Sequence, residues 1–183
     1  IYARSIIEEF SIRFDENIHC LEDLLFMYQY LLHCDYLVLN HMQNYVYVKH
    51  PFSLSHRIHS FESEYCCFVK YQQLLAEMMK VWKIPVGDMV VTVNSMLVPF
   101  RRALKSDYQP DRTIPREMRV KHLKRMISES RDVFLKYYHP VFKTDKLGKV
   151  LLGFNCYILY DFYIRLLFRL NIGPVFYGPK HMY

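Results

Sequence analysis

Glycine and motifs typical of enzymes are both scarce in this sequence. It has five glycines in 183 residues, and no Gly/Ser-rich stretch or internal repeat divides it. Few glycines together with long apolar segments favour helices over tight hairpins. A nucleophile elbow, a glycine-rich phosphate loop, a zincin helix and a dinucleotide fingerprint are also missing. A catalytic site assembled from distant residues leaves no such pattern, so this lack ranks an enzyme below other classes without excluding it.

Cysteine occurs without the spacing of a disulfide framework. The five cysteines form an odd set in which Cys66 and Cys67 are adjacent. This pattern is typical of reduced thiols, so we expect an intracellular protein, cytoplasmic or nuclear. The chain begins at Ile1 without Met and without a signal-peptide pattern, which leaves a fragment or a processed piece as alternatives to an intact chain.

Histidine and cysteine do not fall at zinc-ligand spacings either. The His-Cys dipeptides that begin at His19 and His33 are 14 residues apart. On one helix that separation is about 21 Å, too far for the two dipeptides to share an ion. His56 and His59 are closer together than the usual His-x3-5-His spacing. We therefore expect no structural zinc and no cofactor.

No long stretch is free of charge, although residues 150–170 come closest. Asp161, Arg165 and Arg169 interrupt this stretch, whereas a membrane-spanning helix needs about 20 residues nearly free of charge. We therefore expect no transmembrane segment. The stretch predicts instead a central buried helix in which Asp161 and Arg165, four residues apart, form an ion pair. Its expected core residues are Phe154, Ile158, Leu166 and Leu167.

Aromatic and aliphatic side chains are abundant. Hydrophobic residues make up 52% of the chain, which has 16 Tyr and 13 Phe. A chain of this length can bury about 70% of the surface that it exposes when unfolded. Apolar residues recur at helical spacing through most of it. The sequence predicts a mainly α fold: a single domain over residues 1–183, an irregular bundle of five to seven helices, with an extended C-terminal tail at 172–183.

The first two helical regions are marked by capping residues and proline. Residues 18–46 form one long helix, or two if Asp35 caps a second one. The next helix is expected to follow the N-cap Ser60, with Glu64 in its first turn, and to end at Pro85.

The remaining regions are less regular. A third helical pattern contains a β-rich run and Pro99, which would kink a helix, so a short β hairpin near residues 88–94 is the alternative. A fourth helix begins at Pro115 and runs to Pro140. The last helix begins near Asp145 and continues through the buried stretch described above.

Charge is the most uneven property of the chain. Residues 101–125 contain nine basic and three acidic side chains, a net charge of +6 that equals the net charge of the whole chain. A concentrated positive surface attracts acidic partners and speeds their association. The predicted partner-binding residues are Arg101, Arg102, Lys105, Arg112, Arg116, Arg119, Lys121, Lys124 and Arg125.

These features predict a non-enzymatic structural or protein-interaction subunit of a larger intracellular assembly. We expect it to dock through aromatic and basic surfaces onto an acidic protein partner or onto other subunits of a complex. The alternative is a nucleic-acid-binding module that uses the 101–125 segment, although Tyr108 is the only aromatic residue there for base stacking. An enzyme ranks third. The oligomeric state is left open.

Overall fold

The computed structural model is mainly helical, as the sequence predicted. It describes residues 2–38, 46, 48, 58–85, 90–109, 112–140, 143–170 and 172. Most of these residues are helical, and none of them lies in a strand. They form eight helices, one more than the largest number expected. These helices are α1 (Arg4–Glu9), α2 (Glu22–Leu31), α3 (Phe61–Trp82), α4 (Val90–Ser106), α5 (Arg116–Glu129), α6 (Arg131–Tyr137), α7 (Lys143–Gly153) and α8 (Tyr157–Arg169).

The core is built around α3, against which α4 packs along much of its length. Phe68 of α3 and Phe100 of α4 are fully buried. Their ring centroids are 5.0 Å apart, and the Phe100 ring lies 5.4 Å from that of Tyr138. Tilted aromatic pairs at such distances stabilise a core beyond the surface that they bury. This aromatic cluster joins α3 and α4 to the residues that follow α6.

Both predicted ends of α3 are confirmed. The Ser60 side-chain oxygen accepts a hydrogen bond from the backbone N–H of Ser63 at 3.3 Å, which satisfies one of the free donors of the first turn. Glu64 lies in that turn. At the other end Lys83 has a φ of 52°, a left-handed conformation that commonly ends helices. Pro85 follows directly after Ile84.

The long helix expected over residues 18–46 was wrong. Of the described residues in this region only Glu22–Leu31 are helical, and Asp35 caps no helix among them. Most of the second helix that was the alternative lies outside the described residues, which end at Val38 and resume only at isolated positions before Ile58. Tyr36, which would be the first residue of a helix capped by Asp35, is exposed and not helical. Local periodicity alone does not make a helix when its apolar side has nothing to pack against.

The β-rich alternative near residues 88–94 is not confirmed either. Residues 90–94 lie in α4, while 88 and 89 are outside the described part. Packing of α4 against α3 overrides the local β preference. Pro99 lies inside the helix and is buried, although its ring nitrogen cannot donate the backbone hydrogen bond of that position.

Two helices that were expected to be continuous are interrupted. The predicted helix from Pro115 to Pro140 breaks at Ser130, between α5 and α6. The last predicted helix breaks between α7 and α8, where Asn155 has a φ of 58°. Asparagine tolerates this left-handed conformation better than most residues. Arg131 holds the turn by donating to the Asn155 side-chain oxygen at 3.1 Å and to the Gly153 carbonyl at 3.2 Å.

The helices on either side of that turn pack closely. A Cβ atom at Gly148 would lie 3.0 Å from the ring of Tyr160, so glycine is what allows α7 to approach α8 at this point. Tyr163 also donates a hydrogen bond to the Thr144 carbonyl at 3.0 Å. None of the described helices is long and apolar enough to cross a membrane. Residues 173–183, most of the expected C-terminal tail, lie outside the described part.

Candidate interaction surface

The basic segment does not form one surface, because several of its cations are used inside the fold. Arg102 on α4 is buried, with 8% of its surface exposed, and pairs with Glu64 on α3. Its Nε and Nη2 atoms donate to the two carboxylate oxygens at 2.8 Å each. Glu64 also accepts from the backbone N–H of His59 at 2.8 Å. A buried carboxylate with this many donors is a structural element of the α3–α4 contact.

Arg119 forms a second buried ion pair, and it corrects an expectation. Asp161 on α8 is paired with Arg119 on α5, at 2.6 Å from its Nε and 3.0 Å from its Nη2, and not with Arg165. Tyr108 donates to the same carboxylate at 3.1 Å. Arg165 is exposed. The pairing at four-residue spacing was wrong because Asp161 points into the molecule, where an arginine from another helix reaches it in bidentate geometry.

Four further cations of the segment also have partners. Arg112 donates to three backbone carbonyls, those of Ile58, His59 and Ser106. Lys105 lies 3.5 Å from the Asp145 carboxylate. Burial lowers the pKa of the Lys105 ammonium group, and the nearby Asp145 opposes this change.

Arg101 and Arg125, the remaining two of these four cations, lie against aromatic rings. Arg101 lies 5.8 Å from the ring centroid of Tyr138. Arg125 lies 4.8 Å from that of Tyr65 and forms ion pairs with Glu62 at 2.9 Å and Glu129 at 3.4 Å. These contacts hold both guanidinium groups close to the protein.

The last three predicted partner-binding residues are not engaged within the described fold. Arg116, Lys121 and Lys124 are exposed and make no ion pair or hydrogen bond with any described residue. Together with Pro115, Glu117 and Val120 they line an open depression on the first turns of α5. Ile158 of α8 forms the opposite side of this depression. The free positive charge therefore lies where α5 meets α8.

The outer side of α8 is apolar and open to solvent, which contradicts the expected central buried helix. Of the four core residues predicted there, only Leu167 is buried. Phe154 is 77% exposed, and Ile158 and Leu166 are also exposed. Tyr160, Ile164 and Leu167 form the buried stripe instead. An all-round apolar composition normally indicates burial on all sides, so the exposed side of α8 requires another explanation.

The exposed side carries a stripe of large side chains beside two arginines. Phe162 is 68% exposed, and it lies one helical turn after Ile158 and one before Leu166. Arg165 and Arg169 are exposed on the same side and make no ion pair or hydrogen bond with the described residues. We call the combined region the α5–α8 surface. It consists of Arg116, Lys121 and Lys124 of α5 and Ile158, Leu159, Phe162, Arg165, Leu166 and Arg169 of α8.

One pattern in the sequence could have predicted that this side of α8 is exposed. Residues 158, 162, 165 and 169 follow each other at spacings of three and four, so two arginines share a face with Ile158 and Phe162. Unpaired arginines mark the side of a helix that meets solvent. The assignment of Arg165 to an ion pair with Asp161 concealed this signal.

A histidine–carboxylate pair is the arrangement nearest to a catalytic dyad among the described residues. His122 Nδ1 lies 2.7 Å from Asp107 Oδ2, and the imidazole ring stacks on Phe61 with centroids 4.0 Å apart. No described hydroxyl or thiol group forms a hydrogen bond with the other ring nitrogen. The pair joins α5 to the end of α4 and stacks on α3, which favours a structural role.

The thiols and potential metal ligands add no further site in the part of the chain that is described. All five cysteines are free. Burial raises the pKa of Cys20 to about 11 and that of Cys67 to about 12, so both remain thiols at neutral pH and are poor nucleophiles. No three metal-ligating side chains come together among the described residues. His56 lies outside them.

Comparisons of this chain with protein-family models, with curated proteins and with solved structures find no match.

Proposed function

We propose that this protein is a non-enzymatic interaction subunit that docks an acidic protein partner on the α5–α8 surface. The observation that supports this function is the exposed apolar side of α8 next to unpaired cations. A contiguous apolar patch with a polar rim is typical of a protein-binding site. The helix itself is held from its other side by the Arg119–Asp161 pair and by α7. The patch is therefore presented on a fixed element.

The two kinds of side chain have different roles in this proposal. Phe162 and Ile158 are the anchors, because large apolar side chains near the centre of an interface contribute most of its binding energy. Lys121 and Lys124 form part of the charged rim. Rim charges steer an oppositely charged partner and set the rate of association more than the final affinity.

A nucleic-acid partner, the alternative function, is less well supported by this geometry. Six of the nine predicted cations are engaged within the fold, which leaves few for phosphate contacts. The centre of the remaining surface is aliphatic and aromatic, and a phosphate backbone gains nothing from aliphatic side chains. An acidic protein surface with its own apolar residues matches both parts of the α5–α8 surface.

We place this function in a reducing compartment, the cytoplasm or the nucleus. The proposal is supported by the five free thiols, two of which are adjacent in the chain. Disulfides form readily in oxidising compartments and are rare where thiols are kept reduced.

The test is an affinity capture with the intact chain, with and without nuclease, followed by binding kinetics on any recovered partner. The first variant is Phe162→Ser, which we expect to weaken binding about 30-fold, the loss typical of an interface anchor. The second combines Lys121→Glu with Lys124→Glu and is expected to slow association, with a smaller difference at high salt. A matched control combines Lys80→Glu with Lys136→Glu, two exposed lysines outside the surface.

The outcomes separate the two functions. Binding that survives nuclease, is weakened by Phe162→Ser and associates more slowly in the double-lysine variant, but is unchanged in the control, supports the proposed function. Recovery that disappears with nuclease, with log affinity falling linearly with log salt, would instead establish the nucleic-acid alternative. Partners that bind all variants equally well would rule out the α5–α8 surface as the docking site.

A further inference from the structure

The described chain is electrically asymmetric. Residues 2–38 contain seven acidic and two basic side chains, a net charge of −5. Residues 112–170 contain five acidic and thirteen basic side chains, a net charge of +8. Opposite charges of this size on two parts of one chain favour contact between one part and the other.

The acidic region also exposes aromatic side chains beside α2 and the turn that follows it. Phe10 stacks on His33 with ring centroids 3.6 Å apart, and Phe14 stacks on Phe26 at 4.6 Å. Phe26 lies in α2, whereas His33 lies two residues after the last residue of that helix, Leu31. Phe14 therefore packs on α2 and Phe10 on the turn that follows it, and both remain about half exposed.

Free carboxylates flank these rings. Glu9 and Glu16 are exposed, and neither forms an ion pair or hydrogen bond with a described residue. Glu8 and Asp15 differ, since Glu8 pairs with Arg4 and Asp15 with Lys70. We call Glu9, Phe10, Phe14 and Glu16 the N-terminal face. It has an aromatic centre and an acidic edge, which makes it the chemical counterpart of the α5–α8 surface.

We infer that the N-terminal face of a second copy of this chain docks on the α5–α8 surface. This inference rests on the proposed function and names its partner. Phe10 and Phe14 of one copy would cover Phe162 and Ile158 of the next, while Glu9 and Glu16 would meet Lys121 and Lys124. Both charge and hydrophobicity are complementary in this arrangement.

The contact joins different copies because each face belongs to an element fixed in its own place. The N-terminal segment is held to α2 by a hydrogen bond from the Ala3 N–H to the Tyr30 hydroxyl at 2.8 Å. The α2 helix packs on α3, while α8 packs on α5 and α7. Because the two faces are different, the interface is heterologous. Copies then add with the N-terminal face (the head) of one on the α5–α8 surface (the tail) of the next. They form either a closed ring or an open chain that shortens as the protein concentration falls.

The test uses two variants, each of which reverses the charge of one of the two faces. The head variant combines Glu9→Lys with Glu16→Lys, and the tail variant combines Lys121→Glu with Lys124→Glu. Sedimentation velocity over a concentration series should show self-association of the wild type, stronger at low salt. Each variant alone should self-associate at least about tenfold more weakly, because like charges then face each other. An equimolar mixture should recover self-association, because the faces of each variant then meet faces of opposite charge on the other variant.

A fourth protein that carries all four changes controls for folding and for the specific pairing. Its charges are reversed on both faces, so it should regain self-association. A mixture that associates no more strongly than its components, or self-association that persists in both variants, would overturn the inference. A wild type that remains monomeric while its α5–α8 surface captures another protein, or anionic vesicles, would overturn it as well. Capture of another protein in this way would leave the proposed function intact.

Discussion

Arg102 and Lys124 belong to the same basic segment, yet they have opposite roles in the structure. Arg102 is buried between α3 and α4 in a bidentate pair with Glu64, whereas Lys124 is exposed and makes no ion pair with any described residue. The helices around them differ in the same way. Ten residues of α3 are buried, but α8 buries four and leaves an apolar side open. Neither local charge density nor apolar composition therefore distinguishes a structural residue from one available to a partner.

The largest effect should come from breaking the buried pair. Replacing Arg102 by Met keeps most of the side-chain volume but leaves the Glu64 carboxylate buried without its main partner. We expect a loss of about 3–5 kcal/mol in the free energy of unfolding, measured by urea denaturation. The matched change Lys124→Met should alter stability by less than about 0.5 kcal/mol. Equal losses in the two variants would remove the distinction between structural and free cations.

Two neighbouring leucines of α8 provide the next comparison. Leu167 is 6% exposed and Leu166 is 41% exposed. Leu167→Ala should destabilise the fold by about 2–5 kcal/mol, because it leaves a cavity beneath α8. Leu166→Ala should cost about 1 kcal/mol or less. Thermal and urea unfolding of both variants measures the difference, and a larger loss at Leu166 would mean that the outer side of α8 is covered within the chain itself.

A double-mutant cycle tests the partner of Asp161. Asp161→Asn and Arg119→Met should be coupled by about 0.5–3 kcal/mol, because their side chains form two direct hydrogen bonds. Asp161→Asn and Arg165→Met should instead be additive within about 0.5 kcal/mol. Strong coupling to Arg165 together with none to Arg119 would restore the pairing expected from the four-residue spacing.

The sequence was informative where one local interaction decides the structure. The Ser60 cap and the termination near Pro85 depend on nearby residues, and both were predicted correctly. The mainly helical class followed from apolar periodicity. The breaks at Ser130 and Asn155 were missed, because they depend on contacts such as the hydrogen bond from Arg131 to a turn 24 residues away.

The candidate surface was predictable only in part. The basic segment includes the exposed residues Arg116, Lys121 and Lys124, but the sequence could not separate them from the buried Arg102 and Arg119. The acids that pair with the latter two, Glu64 and Asp161, lie 38 and 42 residues away in the chain. A cation becomes structural when the tertiary fold brings a buried carboxylate to it, and short-range spacing in the sequence does not predict that contact.

The smallest effect concerns the ion pair of Asp15 with Lys70, which is partly exposed. It is intermediate between the buried Arg102–Glu64 pair and the unpaired Lys124. The hydrogen bond from Lys70 lowers the pKa of Asp15 below its ordinary value of 3.8. Because the folded pKa is the lower one, the stabilisation is complete above the unfolded value and is lost as the pH falls through the folded value. Asp15→Asn should therefore cost about 0–1 kcal/mol at neutral pH and less in acid, measured by urea denaturation across a pH series. A cost that grows on acidification would show that the Asp15 carboxylate does not stabilise the fold through its charge.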